Sequence, residues 1–228
     1  MYLDEPIPSK YGRIILTKPV EADDETTAAL RAHPETLRYL AFLPQVFSVE
    51  DARTRRLERA TDPTLVDFNI SLASGGVIGS TGIFYVDDVN KKCEMGILMN
   101  HAYFRGGYAS EALYTCLVYA FETRKMHRVV FQTNSENAAM RGWLEMAGVT
   151  LEGIQRQMWP DPTTGGYNDV ALYAVLEDEW FGATKGKLEA KLNRAYIIKI
   201  SFFGTERCLL VRASECQIRV SLSSMFLS

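Results

Sequence analysis

Between residues 66 and 118 the chain carries the pattern that most restricts its fold: three strand signals joined by short turns, then a glycine pair, then an apolar helix signal. In "DFNISLA", Phe68, Ile70 and Leu72 recur at period two, the mark of a half-buried strand. Gly75 and Gly76 predict a hairpin turn into "VIGSTGIFYVD", and residues 88–92 predict a second turn into "CEMGILMN". Strands linked this tightly run antiparallel. The period then changes, because "HAYFRGGYASEAL" leaves the third strand and enters the helix "GYASEALYTCLVYAFETRK". A meander feeding a strand-loop-helix element requires a mixed sheet with helices packed on it, an α+β fold.

The flanking segments fit that class. "GRIILTK" reads as a strand and "VEADDETTAALRAH" as a helix that breaks at Pro34. "SVEDARTRRLERA" predicts a second helix, with Ser48 as its cap and Asp51 in its first turn. Beyond the central helix, "HRVVFQTN" predicts a strand, "NAAMRGWLEMAG" a helix closed at Gly148, and "DVALYAVL" a last strand.

With 228 residues, 47% of them hydrophobic, the chain can bury one good-sized core. Its net charge of -3 is unevenly spread, at -8 over residues 1–180 and +5 over 181–228. We therefore expect a domain over residues 10–180 and a basic extension over 181–228 that adds little to the site. The segments "IIKISFF", "CLLVRA" and "QIRVSLSSMFL" of that extension are β-prone, and self-pairing through them would give a homodimer. An acidic balance argues against nucleic acid as the partner, and no stretch approaches the roughly 20 apolar residues of a membrane span. Cys93, Cys116, Cys208 and Cys216 are scattered without a CxxC pair, which predicts reduced thiols, a cytoplasmic setting and no metal site.

The glycine pair admits two readings. At the start of a helix, unpaired backbone N–H groups and the helix dipole make an anion cradle, which Arg105 would reinforce. Alternatively, Gly106 and Gly107 only supply a tight turn. The histidines at 33, 101 and 127 read as surface or cap residues, and Trp143 and Trp159 as core or as walls of an acceptor pocket.

Three segments bear on the choice: "CEMGILMNHAYFRGGYASEAL", "TNSENAAMRGWLEMAGV" and "LEGIQRQMWPDPTTGGYNDVALYAVLEDEW". In their order and spacing, the chain resembles the GNAT acetyltransferases, in particular the RimJ/RimL-like group of ribosomal-protein N-terminal acetyltransferases. The resemblance implies a sheet splayed between two central strands, with acetyl-CoA in the cleft as cosubstrate. It implies that the backbone of Ile97, Leu98 and Met99 pairs with the pantetheine arm. The loop of Arg105, Gly106, Gly107, Tyr108, Ala109 and Ser110 would hold the pyrophosphate, and Asn137 would contact the cofactor arm. Two features depart from the family pattern: Phe104 takes the place of a Gln or Arg, and Met140 and Leu144 stand where many relatives carry a hydroxyl or a tyrosine.

The implied chemistry is transfer of the acetyl group to a primary amine, on a protein N-terminus or a small molecule. A carboxylate must take the ammonium proton, and Glu94 is the candidate base. Its other reading is a solvated strand residue paired with Lys91 or Lys92. Gln132 is expected to bind substrate or water, and Asp169 to face the acceptor groove or to cap a turn. The competing function is a GNAT-fold module that binds acyl-CoA with little chemistry.

Overall fold

The meander forms the centre of the sheet in the computed structural model, which describes residues 5–203 and the side chains of residues 5–194. Strands β1 (Ile7–Pro8) and β2 (Ile14–Thr17) come first, followed by helices α1 (Asp24–Arg31), α2 (Pro34–Leu37) and α3 (Val49–Thr61). Helix α1 ends just before Pro34, which opens α2. The start of α3 is a reciprocal cap: Ser48 Oγ accepts from Asp51 N–H at 3.1 Å, and Ser48 N–H donates to Asp51 Oδ2 at 2.8 Å. The carboxylate is held below its ordinary range by those bonds to Ser48.

Strands β3 (Val66–Leu72), β4 (Val77–Asp87) and β5 (Lys92–Met99) then run antiparallel through both expected turns. At the first, Gly75 and Gly76 have φ of 100° and 90°, and Leu72 N–H donates to Gly76 O at 3.0 Å. At the second, Asp87 Oδ1 accepts from the N–H groups of Val89 and Asn90. Helix α4 (Tyr108–Val118) follows and runs into a π-helical turn, Tyr119–Thr123. Strand β6 (Arg128–Asn134), helix α5 (Ala138–Ala147), strands β7 (Thr150–Asp161) and β8 (Gly166–Leu176), and helices α6 (Glu177–Glu179) and α7 (Lys185–Phe203) complete the described chain. No described helix is long and apolar enough to cross a membrane.

The eight strands are ordered β1-β2-β3-β4-β5-β6-β8-β7, and every pairing is antiparallel except β5 with β6. Phe68 and Phe131 point to the face covered by α4 and α5, where they meet Tyr119 and Trp143 edge-on. The opposite face carries α1 and α3, tied down by Arg59 of α3 on Asp67 of β3 and by Arg56 of α3 on Asp24 of α1. Period-two alternation puts Cys93 and Met95 into the core on the α4 side and turns Glu94 to the α3 side.

Two elements differ from expectation. Strand β7 pairs along β8 from Thr150 to Asp161, yet most of its residues are exposed, so it has no apolar period to read. The "WPDPTTGGYND" segment is the tip of that hairpin. At the C-terminal end, "IIKISFF" lies in α7 and is helical, because a helix already under way and packed by its first turns overrides the β preference of Ile and Phe. "CLLVRA" and "QIRVSLSSMFL" lie outside the described residues.

The boundary expected near residue 180 does not coincide with an edge of the core. Trp180 and Leu188 are completely buried and Leu192 nearly so, and Trp180 stacks on Phe121 at 5.4 Å. Glu189 of α7 accepts from Tyr114 Oη and from Lys10 Nζ, both at 2.6 Å. Replacing Leu188 by Ala should therefore cost about 2–5 kcal/mol of stability, as for other fully buried leucines. Urea unfolding would measure it, and a cost below about 1 kcal/mol would place α7 outside the cooperative core.

Candidate active site

The sheet opens where its one parallel pairing stops. Strands β5 and β6 pair at Lys92 with Arg128, Cys93 with Val129 and Glu94 with Val130, and no further. Beyond that point β5 stays with β4 as far as Met99, and β6 stays with β8 as far as Asn134. The two strands thus diverge and leave facing backbone edges that no described strand fills. Ile97, Leu98 and Met99 lie along one edge, a template for an extended ligand carrying amides.

The glycine loop follows β5. Asn100 Oδ1 accepts from Ala102 N–H at 3.0 Å and holds a single 3-10 turn, after which Arg105 takes a left-handed φ of 60° with its side chain exposed. Gly107 is the N-cap of α4 at φ 81° and has no side chain to occupy the first N–H groups of the helix. A Cβ on Gly106 would meet the Tyr108 ring at 2.8 Å, and one on Gly107 would meet Arg13 at 3.3 Å. Glycine at 107 thus serves the left-handed backbone and the close approach of Arg13, and the space a side chain would take lies toward Arg13. Tyr108, Ala109 and Ser110 form the first turn of α4. Ser110 Oγ accepts from Trp143 Nε1 at 3.0 Å, so its hydroxyl ties α4 to α5.

Arg13 and Glu111 were not singled out in the sequence. Glu111 is fully buried in α4, where its Oε2 accepts from Arg13 Nε at 2.5 Å and its Oε1 from Arg13 N–H at 3.1 Å. The signal was a lone carboxylate among the apolar residues of "YASEALYTCLV", since a charge buried on such a helix must be paired.

Glu94 sits at the last paired position before the strands part. Gln132 Nε2 donates to Glu94 Oε2 at 3.0 Å, joining the two strands on the α3 face. Burial pushes the Glu94 carboxyl above its ordinary range, and the bond from Gln132 opposes part of that rise. The lysines are engaged elsewhere, Lys91 with Asp88 at 3.7 Å and Lys92 with Asp87 at 3.8 Å. Glu94 is therefore a half-buried carboxylate bonded to an amide, not a strand residue paired with a lysine.

Asn137 is the N-cap of α5, its Oδ1 accepting from Met140 N–H at 3.1 Å. Asp169 lies inside β8, where its Oδ1 accepts from Gln157 N–H at 2.8 Å and holds the bulge in β7 at which Gln157 has φ 53°. Leu144 is fully buried and Met140 half-buried. His33 caps α2 by accepting from Glu35 N–H, and its ring stacks on His101 at 4.0 Å, a contact across 68 positions that spacing could not reveal. Trp143 is buried against Phe131, whereas Trp159 meets Phe42 at 4.7 Å. Cys93 and Cys116 are buried with free thiols, and burial pushes Cys93 up to about 12, so neither is poised as a nucleophile.

An open parallel seam, a helix-start loop beside it and a half-buried carboxylate at its apex lie together at one end of the sheet. The chain belongs to the GNAT acetyltransferases: the profile of the acetyltransferase (GNAT) domain matches residues 13–150. It is 28% identical over 142 residues to the uncharacterized N-acetyltransferase YnaD of Bacillus subtilis, covering 62% of this chain and 82% of that protein. It is also 28% identical over 111 residues to YdaF of the same organism, provisionally named a ribosomal N-acetyltransferase, covering 49% of this chain and 60% of that one. Among solved structures, a GNAT-family acetyltransferase from Bacillus anthracis superposes with a TM-score of 0.66 at 25% identity, covering 77% of this chain and 100% of that one. A Vibrio cholerae spermidine N-acetyltransferase in complex with CoA and spermine shares the fold with a TM-score of 0.69 at 18% identity, covering 75% and 99%.

Proposed function

We propose that the protein is an acetyl-CoA-dependent N-acetyltransferase acting on a primary amine, either a protein N-terminus as in the RimJ/RimL-like group or a small-molecule amine. The observation that carries this reading is the hydrogen-bonded pair of Glu94 and Gln132 at the point where β5 and β6 part. The residues present fit the cosubstrate. The first turn of α4 (Tyr108, Ala109 and Ser110), with Gly106 and Gly107 before it, offers backbone N–H groups to a pyrophosphate, and Arg105 adds an exposed cation beside them. The edge at Ile97, Leu98 and Met99 would take the amides of the pantetheine arm, and Asn137, whose oxygen caps α5, would contact the same arm through its amide nitrogen. When bound, acetyl-CoA supplies the activated acetyl thioester.

Glu94 takes the proton from the incoming ammonium at its carboxylate oxygen, which leaves a neutral nucleophilic nitrogen. A carboxyl raised by burial is better matched to that task than an ordinary surface carboxylate. Gln132 holds the carboxylate in place through Oε2. Asp169 acts on the acceptor side by fixing the β7 bulge beside Arg156 and Gln157. Leu144 offers no proton to the departing thiolate, and at an ordinary thiol pKa of about 8.5 water can supply it.

A second reading, an acyl-CoA-binding module without turnover, draws on Phe104, Met140 and Leu144. Incubation with acetyl-CoA and a panel of N-terminal peptides, polyamines and amino sugars separates the two. CoA release above background with one acceptor class is the expected result and identifies that class. Tight acetyl-CoA binding with no release across the panel would leave the module.

A further inference from the structure

We propose that Arg13 and Glu111 are positioning residues for the anion cradle: the Arg13 fork, seated on the buried Glu111 carboxylate, fixes which way the loop peptides of Gly106 and Gly107 face. This inference rests on the acetyltransferase reading of the site. Arg13 Nη1 donates to Gly106 O at 2.9 Å and Nη2 to Gly107 O at 3.3 Å, while Nε is held by Glu111. Its guanidinium also lies 5.0 Å from the centre of the Tyr108 ring. The backbone of Arg13 is pinned at both ends, its N–H on Glu111 Oε1 and its C=O by Ala73 N–H at 2.9 Å. The fork therefore cannot follow the loop; the loop follows the fork.

Peptide planarity turns this into a statement about the ligand. No peptide bond here is cis. In a planar trans peptide the C=O and N–H point in opposite directions. With Gly106 O drawn to Arg13, the Gly107 N–H must face the opposite way, away from Arg13. Gly107 O likewise accepts both Arg13 and the Glu111 N–H that starts α4, so the next peptide is held in line with the helix start. A glycine loop left to itself could rotate these peptides, and an anion would then have to order them as it bound.

The chemistry of the pair supports a positioning role over a merely structural one. A buried ion pair seldom stabilises a fold more than apolar residues of the same size, so its geometry is the better explanation of its presence. Only arginine has a fork that can hold a carboxylate and two carbonyls in one plane; lysine is a single point donor.

The test compares CoA with pantetheine, which lacks the pyrophosphate, on the full chain by calorimetry. Arg13→Lys keeps a cation for Glu111 but loses the fork. It should weaken CoA binding about tenfold and pantetheine binding by less than about twofold, with KM for acetyl-CoA raised by the same factor and kcat within about twofold. The double variant Arg13→Gln with Glu111→Gln, which leaves no buried charge, should behave alike. Unchanged CoA affinity in folded variants overturns the proposal, as does an equal loss for both ligands. Should neither variant fold, glycine-selective ¹⁵N spectra of the unaltered protein decide: the Gly107 amide should shift with CoA and not with pantetheine, and an unmoved amide overturns the proposal. Unaltered protein that binds neither ligand removes the acetyltransferase reading itself, whereas CoA binding indifferent to Arg13 removes only the clamp.

Discussion

Glu94→Gln should lower turnover by about 10²- to 10⁴-fold while leaving acetyl-CoA affinity nearly unchanged. The carboxylate at the head of the open seam combines burial with a fixed hydrogen bond to a neutral amide, which argues a proton-transfer role. Its pH dependence has a definite sign. The base must be ionised, so kcat/KM of the unaltered enzyme should fall as pH drops through a carboxyl pKa set above the ordinary glutamate value of about 4.3. In the variant the defect should shrink at high pH, where solvent supplies the free amine. Stability provides the control. Because burial raises the folded-state pKa, folding favours the protonated form, and its contribution to stability is lost as pH rises through that pKa. Removing the charge should therefore not lower the melting temperature at neutral pH. A variant of normal rate at every pH would take Glu94 out of the mechanism.

Gly107→Val should weaken CoA binding by about tenfold or more, roughly 1.4 kcal/mol, and leave pantetheine binding nearly unaltered. The residue at 107 holds a left-handed backbone, so a β-branched side chain also strains the fold by roughly 1–2 kcal/mol, and some loss of melting temperature is expected. The two ligands keep the effects apart. Strain alone would leave the ratio of CoA to pantetheine affinity untouched, whereas a damaged cradle collapses it toward one. A Val variant that kept the ratio would reduce the glycine pair to a turn.

Much of this architecture is legible in local pattern. Phe68 and Ile70 are buried as their spacing predicts, although Asn69 between them is buried too and Leu72 only partly, because helices cover both faces of β3. Ser48 and Asp51 cap as expected, and Gly75, Gly76 and Gly148 all sit at positive φ where the chain turns. Glu94 and Gln132 were readable one at a time, but their meeting depends on the parallel pairing of strands separated by α4, which no local period encodes. The same is true of Arg13, which reaches Glu111 from 98 positions away. Strand β7 escaped because exposed edge residues carry no hydrophobic alternation. The basic stretch that opens α7 reads as weakly helical, and only its last turns escaped, because the Ile and Phe of "IIKISFF" suggest a strand when read without the helix that leads into them.

That last helix bears on how the molecule is made. Lys10, near the beginning, and Glu189, near the end of the described chain, are joined by an ion pair spanning 179 positions, with Tyr114 of the central helix on the same carboxylate. During synthesis the residues bearing the whole family signature emerge before Trp180, Leu188 and Leu192, which cover the outer side of α4. Until those residues are available the apolar flank of α4 that they cover stays bare, so the domain cannot complete its core before α7 is made.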